Sequence, residues 1–142
     1  MKGILLVSHG KMAEGMIDSL QMFFGENIPQ LDFLSVKMDT GVEEFRNSAI
    51  QKINELDTGD GVVIFADVLG GTPFNQSATL VSDKVDLIAG MNLGMLMDFL
   101  GSREYEEFDA DTLVEKGRGS VINAKALLYA EEDDLSDLDS LE

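Results

Sequence analysis

Strand-like runs alternate with helical stretches along this chain, and this alternation is the feature that most limits its fold. Apolar, β-rich runs cover Ile4–Val7, residues 31–37, residues 61–67 and residues 85–90, and residues with helical spacing follow each run. Strand–helix units of this kind predict right-handed crossovers and a mainly parallel sheet with helices on both faces. The predicted fold is therefore an α/β domain of three layers, flavodoxin-like, with four parallel strands.

Apolar spacing and end signals predict where the helices lie. Residues 11–25 repeat large apolar side chains four positions apart and end on a glycine, as expected for an amphipathic helix. Thr40 with Glu43 matches a capping box for a second helix. After the third run, a glycine loop leads to Thr72 as an N-cap and Pro73 as the first helical residue. A short Met- and Leu-rich helix is predicted after the fourth run.

The C-terminal part of the chain admits two interpretations. A helical stretch over roughly 109–116 is expected to break at Gly117 and Gly119. Residues 120–128 then alternate apolar and polar side chains, which favours a fifth strand, antiparallel at an edge of the sheet; a helix through the same residues is the alternative. Because edge strands invite pairing with a second chain, exchange of this element is a route to a homodimer.

Charge and composition exclude several classes of function. The net charge is −17, and the last twelve residues carry seven of the 27 acidic residues and none of the ten basic ones. We expect one domain over residues 1–130 and an acidic disordered tail over residues 131–142. A nucleic-acid backbone would be repelled by both parts, so no nucleic-acid partner is expected. The chain has no cysteine, no signal-peptide pattern and no apolar run of the roughly 20 residues that a membrane span needs, which predicts a cytoplasmic protein.

Two polar side chains follow predicted strands at their carboxyl ends. His9, the only histidine, ends the first strand region, and Asp67 ends the third. Open parallel sheets bind ligands at this edge, and the two side chains converge if strands one and three are neighbours. A carboxylate that accepts from Nδ1 leaves the Nε2 lone pair free to attack an electrophile or bind a metal. A lone histidine is more often a surface or packing residue, but its place at a strand end favours a functional role.

The residues around this pair favour phosphorus as the electrophile. Predicted helices start after Gly10 and after Gly71, and unpaired amides at helix starts attract phosphoryl anions. Thr72 adds a hydroxyl donor at the second of these starts. A metal site is not expected, because the chain offers one histidine and no cysteine.

Three segments of the chain carry a resemblance to a known family. They read ILLVSHGKMAEGM, VVIFADVLGGTPFN and VDLIAGMNLGML, in matching order over residues 1 to about 128. The chain resembles the enzyme IIA component (EIIA) of the mannose/fructose/sorbose-type sugar phosphotransferase system (PTS). The pattern D-x-x-G-G-[ST]-P-F-N is its most specific part. Gly94 is a departure, since the family often has proline there.

The resemblance implies a phosphoryl relay without metal or organic cofactor. His9 matches the histidine that is transiently phosphorylated on Nε2, Asp67 the carboxylate that orients it, and Thr72 a hydroxyl residue that bonds the phosphoryl group. The implied donor is the histidine-containing phosphocarrier protein and the acceptor a cognate IIB component. Membrane association would be indirect, through the IIC/IID permease. Proteins that resemble this chain form homodimers through the C-terminal strand, so a homodimer is expected.

A relay site must admit another protein, so an apolar collar is expected around His9. The predicted phosphate- and partner-binding residues are Gly10, Met12, Leu69, Gly70 and Gly71. Leu69 and Met12 are the candidates for the collar, although the helical spacing of Met12 also fits a core position. The alternative function is a IIA-like regulatory module that senses phosphorylation state without a transport role. The transported sugar is not readable from these residues.

Overall fold

The computed structural model describes residues 1–130 and contains a parallel sheet with the strand order β2-β1-β3-β4. The segment predicted as a tail, residues 131–142, lies outside the described residues. The strands are β1 Gly3–His9, β2 Leu31–Val36, β3 Val62–Ala66 and β4 Val85–Ala89. The helices are α1 Met12–Phe24, α2 Val42–Leu56, α3 Gly71–Ala78, α4 Leu93–Ser102, α5 Ala110–Gly119 and α6 Ala124–Leu128. The predicted α/β fold with four parallel strands is confirmed. None of the helices in this part of the chain has the length and apolarity needed to cross a bilayer.

Each face of the sheet buries an apolar cluster of its own. Successive side chains of a strand point to opposite faces, so Ile4 and Leu6 pack with α1, α4 and α5, whereas Leu5 and Val7 pack with α2 and α3. All four side chains are fully buried, and each such burial stabilises the fold by about 1.5–3 kcal/mol. β1 is therefore held on both faces, and His9 lies at its carboxyl end.

Two helix starts differ from their predicted positions, and both N-caps are glycines. The N-cap of α2 is Gly41, whose N–H donates to the Glu44 side chain at 3.3 Å, so the capping interaction lies one residue later than predicted. The N-cap of α3 is Gly70, and Thr72 lies inside the first turn instead of capping it. Gly70 and Gly71 have φ angles of +91° and +79°, which glycine adopts at little cost.

The C-terminal segment does not form the predicted fifth strand. Residues 124–128 are helix α6, and the sheet has four strands within residues 1–130. The side chain of Asn123 caps α6 by accepting from the Ala126 N–H at 3.3 Å, and the helix sequence AKALL has no β-branched residue. Local helix propensity therefore outweighs the alternating pattern. Homodimerisation stays a prediction, without this strand as its route.

Gly117, predicted to break α5, lies inside it, and the helix ends at Gly119. Gly117 is buried against α4, where an added Cβ would overlap the Met95 Cε atom. Gly94 in α4 faces Ser120 in the same way, with 2.7 Å between an added Cβ and the Ser120 Cβ. Glycine in a helix costs about 1 kcal/mol relative to alanine, and the close packing of α4 on α5 offsets this cost. The same packing accounts for glycine at position 94.

Arg103 connects the end of α4 to the amino ends of β1 and β2. Its side chain is 8% exposed, and the guanidinium donates to the carbonyls of Lys2 at 3.0 Å, Gln30 at 3.3 Å and Pro29. Burial lowers the pKa of the Arg103 guanidinium from its ordinary value, but an arginine stays charged at any physiological pH. One buried cation thus satisfies three carbonyls at the edge of the sheet opposite His9.

We expect Arg103→Ala to keep the fold but to lower the free energy of unfolding by about 3 kcal/mol, because the Lys2 and Pro29 carbonyls lose the donor that Arg103 supplies. Urea unfolding followed by circular dichroism measures this difference. Arg118→Ala is the matched control, since the Arg118 side chain is 74% exposed and bonds only Glu115 among the described contacts. Exposed pairs contribute about 0–1 kcal/mol, so equal losses from the two variants would contradict the role of Arg103.

Candidate active site

The pairing of β1 with β3 brings His9 and Asp67 together at the carboxyl edge of the sheet. Val7 lies opposite Ala66 in the register, and the next N–H, that of Asp67, donates to the Val7 carbonyl at 3.1 Å. Oδ2 of Asp67 lies 2.8 Å from Nδ1 of His9 and accepts the main-chain N–H of His9 at 2.9 Å. A single carboxylate oxygen therefore fixes both the backbone and the ring of His9.

Asp67 is held in its ionised form by these contacts. Its side chain is 7% exposed, and its other oxygen, Oδ1, accepts the Val68 N–H at 2.9 Å. Burial raises the pKa of the Asp67 carboxyl, but the hydrogen bonds from the His9 main chain, the His9 ring and the Val68 main chain outweigh it, so the pKa lies below its usual value. An ionised carboxylate accepts hydrogen bonds but cannot donate one. Nδ1 of His9 therefore carries the proton, and the Nε2 lone pair is free.

The free side of the His9 ring lies against the start of α3. The His9 side chain is 52% exposed. A Cβ added to Gly71 would lie 2.8 Å from Cε1 and 2.9 Å from Nε2 of His9, so the ring packs directly on this glycine. The first amides of a helix have no acceptor inside the helix, and an anion bound to Nε2 would lie beside those of α3.

Ser8 holds the start of α1, and the sequence reasoning did not single it out. The residue is fully buried, and its Oγ accepts the Ala13 N–H at 2.8 Å. The Gly10 N–H donates to the Val36 carbonyl at 2.9 Å. These bonds fix the turn after His9 but occupy amides that were expected to face a phosphoryl anion. The start of α3 is therefore the better anion site of the two helix starts. A serine directly after the apolar run Ile4–Val7 is the only sequence signal for this role.

The other predicted site residues lie on loops and at helix starts of the same edge. Gly10 is exposed with a φ of +57°, and Thr72 is half-buried in the first turn of α3. Leu69 is 78% exposed, and Met12 is exposed as well, which places it outside the core. Within the described part of the chain, no group of three or more His, Asp or Glu side chains is arranged to hold a metal ion.

The structure adds three exposed apolar residues that sequence reasoning missed. Met38 and Val42 follow β2, and Val68 follows β3, so they share the carboxyl edge with Leu69 and Met12. We refer to these five residues as the apolar rim. Their position after strands that flank β1 was a usable signal, since the carboxyl ends of parallel strands meet at one edge.

Comparisons with known proteins identify the family of this chain. Residues 3–116 match the family described as PTS system fructose IIA component, EIIA-man. The chain is 35% identical over 132 residues to the PTS system mannose-specific EIIAB component of Escherichia coli (strain K12); the match covers 87% of this chain but 39% of that relative, so the chain spans about two-fifths of its length. It is 31% identical over 97 residues to the PTS system sorbose-specific EIIA component of Lacticaseibacillus casei, covering 67% of this chain and 69% of that protein.

The PTS IIA protein associated with the fucose utilization operon from Streptococcus pneumoniae superposes with a TM-score of 0.81 at 29% identity, covering 89% of this chain and 96% of that one. This chain therefore belongs to the EIIA-man family of IIA components, which are phosphotransferase proteins of sugar phosphotransferase systems.

Proposed function

We propose that this protein is a phosphoryl relay in which Nε2 of His9 accepts the group from a histidine-containing phosphocarrier protein and passes it to a IIB component. A phosphotransfer role in a sugar PTS follows from family membership. The finer assignment rests on one observation: Asp67 holds Nδ1 at 2.8 Å while the ring is half exposed. In this proposal the relay works in the cytoplasm and meets the membrane only through the IIC/IID permease.

The proposed transfer exchanges one nitrogen–phosphorus bond for another. The Nε2 lone pair of His9 attacks the phosphorus of the donor phosphohistidine and forms a new N–P bond. The donor N–P bond breaks, and its electron pair returns to the donor imidazole. The His9 ring gains positive charge as the bond forms, and the ionised Asp67 beside Nδ1 stabilises that charge. Because both bonds are of one type, the step is reversible and depends mainly on positioning.

The start of α3 supports the phosphorylated state in this proposal. The phosphoryl oxygens would lie beside the first amides of α3, where the helix dipole favours an anion. The Thr72 hydroxyl stands in the same turn as a further donor. Gly10, Gly70 and Gly71 supply the left-handed φ angles of the two turns, and Gly71 places no side chain against Nε2.

The apolar rim supports docking of a protein instead of a small donor. Its five side chains are exposed on the loops and helix starts that follow β1, β2 and β3, the sheet edge at which His9 lies, and exposed apolar residues gathered at one edge favour an interaction surface. The phosphocarrier protein and the IIB component both need Nε2 of His9, so they would bind to the apolar rim one after the other.

Reconstitution with phosphoenolpyruvate, the two general phosphotransfer proteins and candidate IIB chains tests the relay. Asp67→Asn should fold but transfer about 100-fold more slowly, because an amide can present a donor to the ring and favour the wrong tautomer. His9→Gln should fold and carry no label. Label on His9→Gln, or a normal rate for Asp67→Asn, would remove the basis of the assignment. Labelling of His9 with no onward transfer to any IIB chain would favour the regulatory module.

The pH dependence of stability tests the ionised state of Asp67. A carboxyl whose pKa is lower in the folded protein binds its proton more weakly there, so protonation favours the unfolded chain. The stabilisation is complete above the unfolded carboxyl pKa of about 3.9 and is lost as the pH falls through the folded value. Urea unfolding at pH 5 and at lower pH values measures the difference in free energy of unfolding between wild type and Asp67→Asn. This difference should shrink below about pH 4. A difference that stays constant there would show that Asp67 is not held ionised by its contacts.

Leu69→Asp tests the apolar rim. The side chain is 78% exposed, so we expect the free energy of unfolding to change by no more than about 0.5 kcal/mol. Binding of the phosphocarrier protein, measured by calorimetry, should weaken because a charge replaces an apolar contact. Met22→Asp is the control, since Met22 is exposed at the other end of α1. Equal binding losses from both variants would show that the effect is not local to the rim.

A further inference from the structure

We propose that Gly71 is a positioning residue for phosphoryl transfer. Because Gly71 has no side chain, the His9 ring can occupy its position beside Asp67, and Nε2 stays accessible to the phosphoryl donor. This inference rests on the proposed function only in taking Nε2 as the acceptor. Its basis is the contact between the two residues: a Cβ at Gly71 would stand 2.8 Å from Cε1 and 2.9 Å from Nε2.

The ring has little freedom to avoid such a side chain. Nδ1 lies 2.8 Å from Oδ2 of Asp67, and that carboxylate is buried and fixed by the Val68 and His9 amides. Distances below 3.0 Å are shorter than real Cβ contacts, so the ring would have to turn. Turning the ring lengthens the bond to Asp67, and a ring that stayed in place would share the space beside Nε2 with the new methyl group. Either outcome removes the geometry needed for attack on phosphorus.

The left-handed φ of Gly71 by itself favours glycine, and the contact with the His9 ring is a second, separate constraint at this position. Gly70 and Gly90 also have left-handed φ angles, of +91° and +83°, yet an added Cβ at either meets nothing within 4 Å. At Gly3, Gly61 and Gly117 the nearest atoms belong to the main chain or to the packing side chain Met95. Gly71 thus differs from these glycines in what it contacts, which is the reactive edge of the imidazole.

The test compares substitutions at Gly71 with the same substitutions at Gly90, a glycine of similar φ outside the site. Alanine adds the Cβ, and asparagine adds it in the residue type that best tolerates a positive φ. Phosphoramidate serves as the donor because it is small and needs no docking surface. In this reaction Nε2 forms its bond to phosphorus, the P–N bond of the reagent breaks, and ammonia leaves with the electron pair.

We expect Gly71→Ala and Gly71→Asn to be phosphorylated roughly 100-fold more slowly than wild type, with Gly90→Ala and Gly90→Asn close to wild type. Nitrogen-15 spectra of the unphosphorylated ring should show Nδ1 protonated in wild type and a mixture of tautomers in the Gly71 variants. Wild-type rates and spectra in both Gly71 variants would overturn the proposal. Its failure is distinct from that of the relay, which fails if wild type reacts with phosphoramidate but receives nothing from the phosphocarrier protein.

A stability cycle keeps the proposal testable if the Gly71 variants fold poorly. The clash requires the ring, so Gly71→Ala should destabilise wild type more than it destabilises His9→Ala, as measured by urea unfolding. An equal cost in both backgrounds would show that backbone strain, not the ring, excludes a side chain at this position.

Discussion

Oδ2 of Asp67 accepts two hydrogen bonds from one residue, His9, and the site depends on that double contact. The main-chain bond continues the pairing of β1 with β3 past the last register pair, Val7 with Ala66. The ring bond then fixes the tautomer. Because both strands are buried on two faces, the carboxylate cannot be drawn away into solvent without disturbing the apolar clusters. The tautomer of His9 is thus set by the two central strands of the sheet, whose apolar side chains are buried.

The meeting of His9 and Asp67 was predictable because it needs only strand order. Each residue ends a strand that the sequence marks clearly, and neighbouring parallel strands end at one edge. The start of α3 was not predictable to the residue, because Gly70 and Gly71 take conformations that a pattern does not reveal. The contact of Gly71 with the ring depends on the packing of α3 against β1, which only coordinates supply.

The C-terminal residues show where sequence patterns fail. Alternation over residues 120–128 suggested a strand, but a run of AKALL after an asparagine cap satisfies its own backbone locally. Helix α5 was expected to stop at Gly117, since glycine weakens helices. The structure instead uses the missing side chain to bring α5 against Met95. The Asn123 cap and the contact of Gly117 with Met95 determine these two structures, and the spacing of apolar residues reveals neither of them.

The strand order also has a consequence for behaviour at high concentration. β2 and β4 each have one side without a strand partner within residues 1–130, and open strand edges are templates for aggregation. Both edges carry a charge: Asp32 on β2 lies 2.8 Å from Lys52 Nζ, and Asp86 on β4 lies 3.9 Å from Lys2 Nζ. A second strand pairing with either edge would bring these charged pairs into the new contact, and charges on a strand edge disfavour such pairing. The two open edges of the sheet are therefore unfavourable sites for edge-to-edge association.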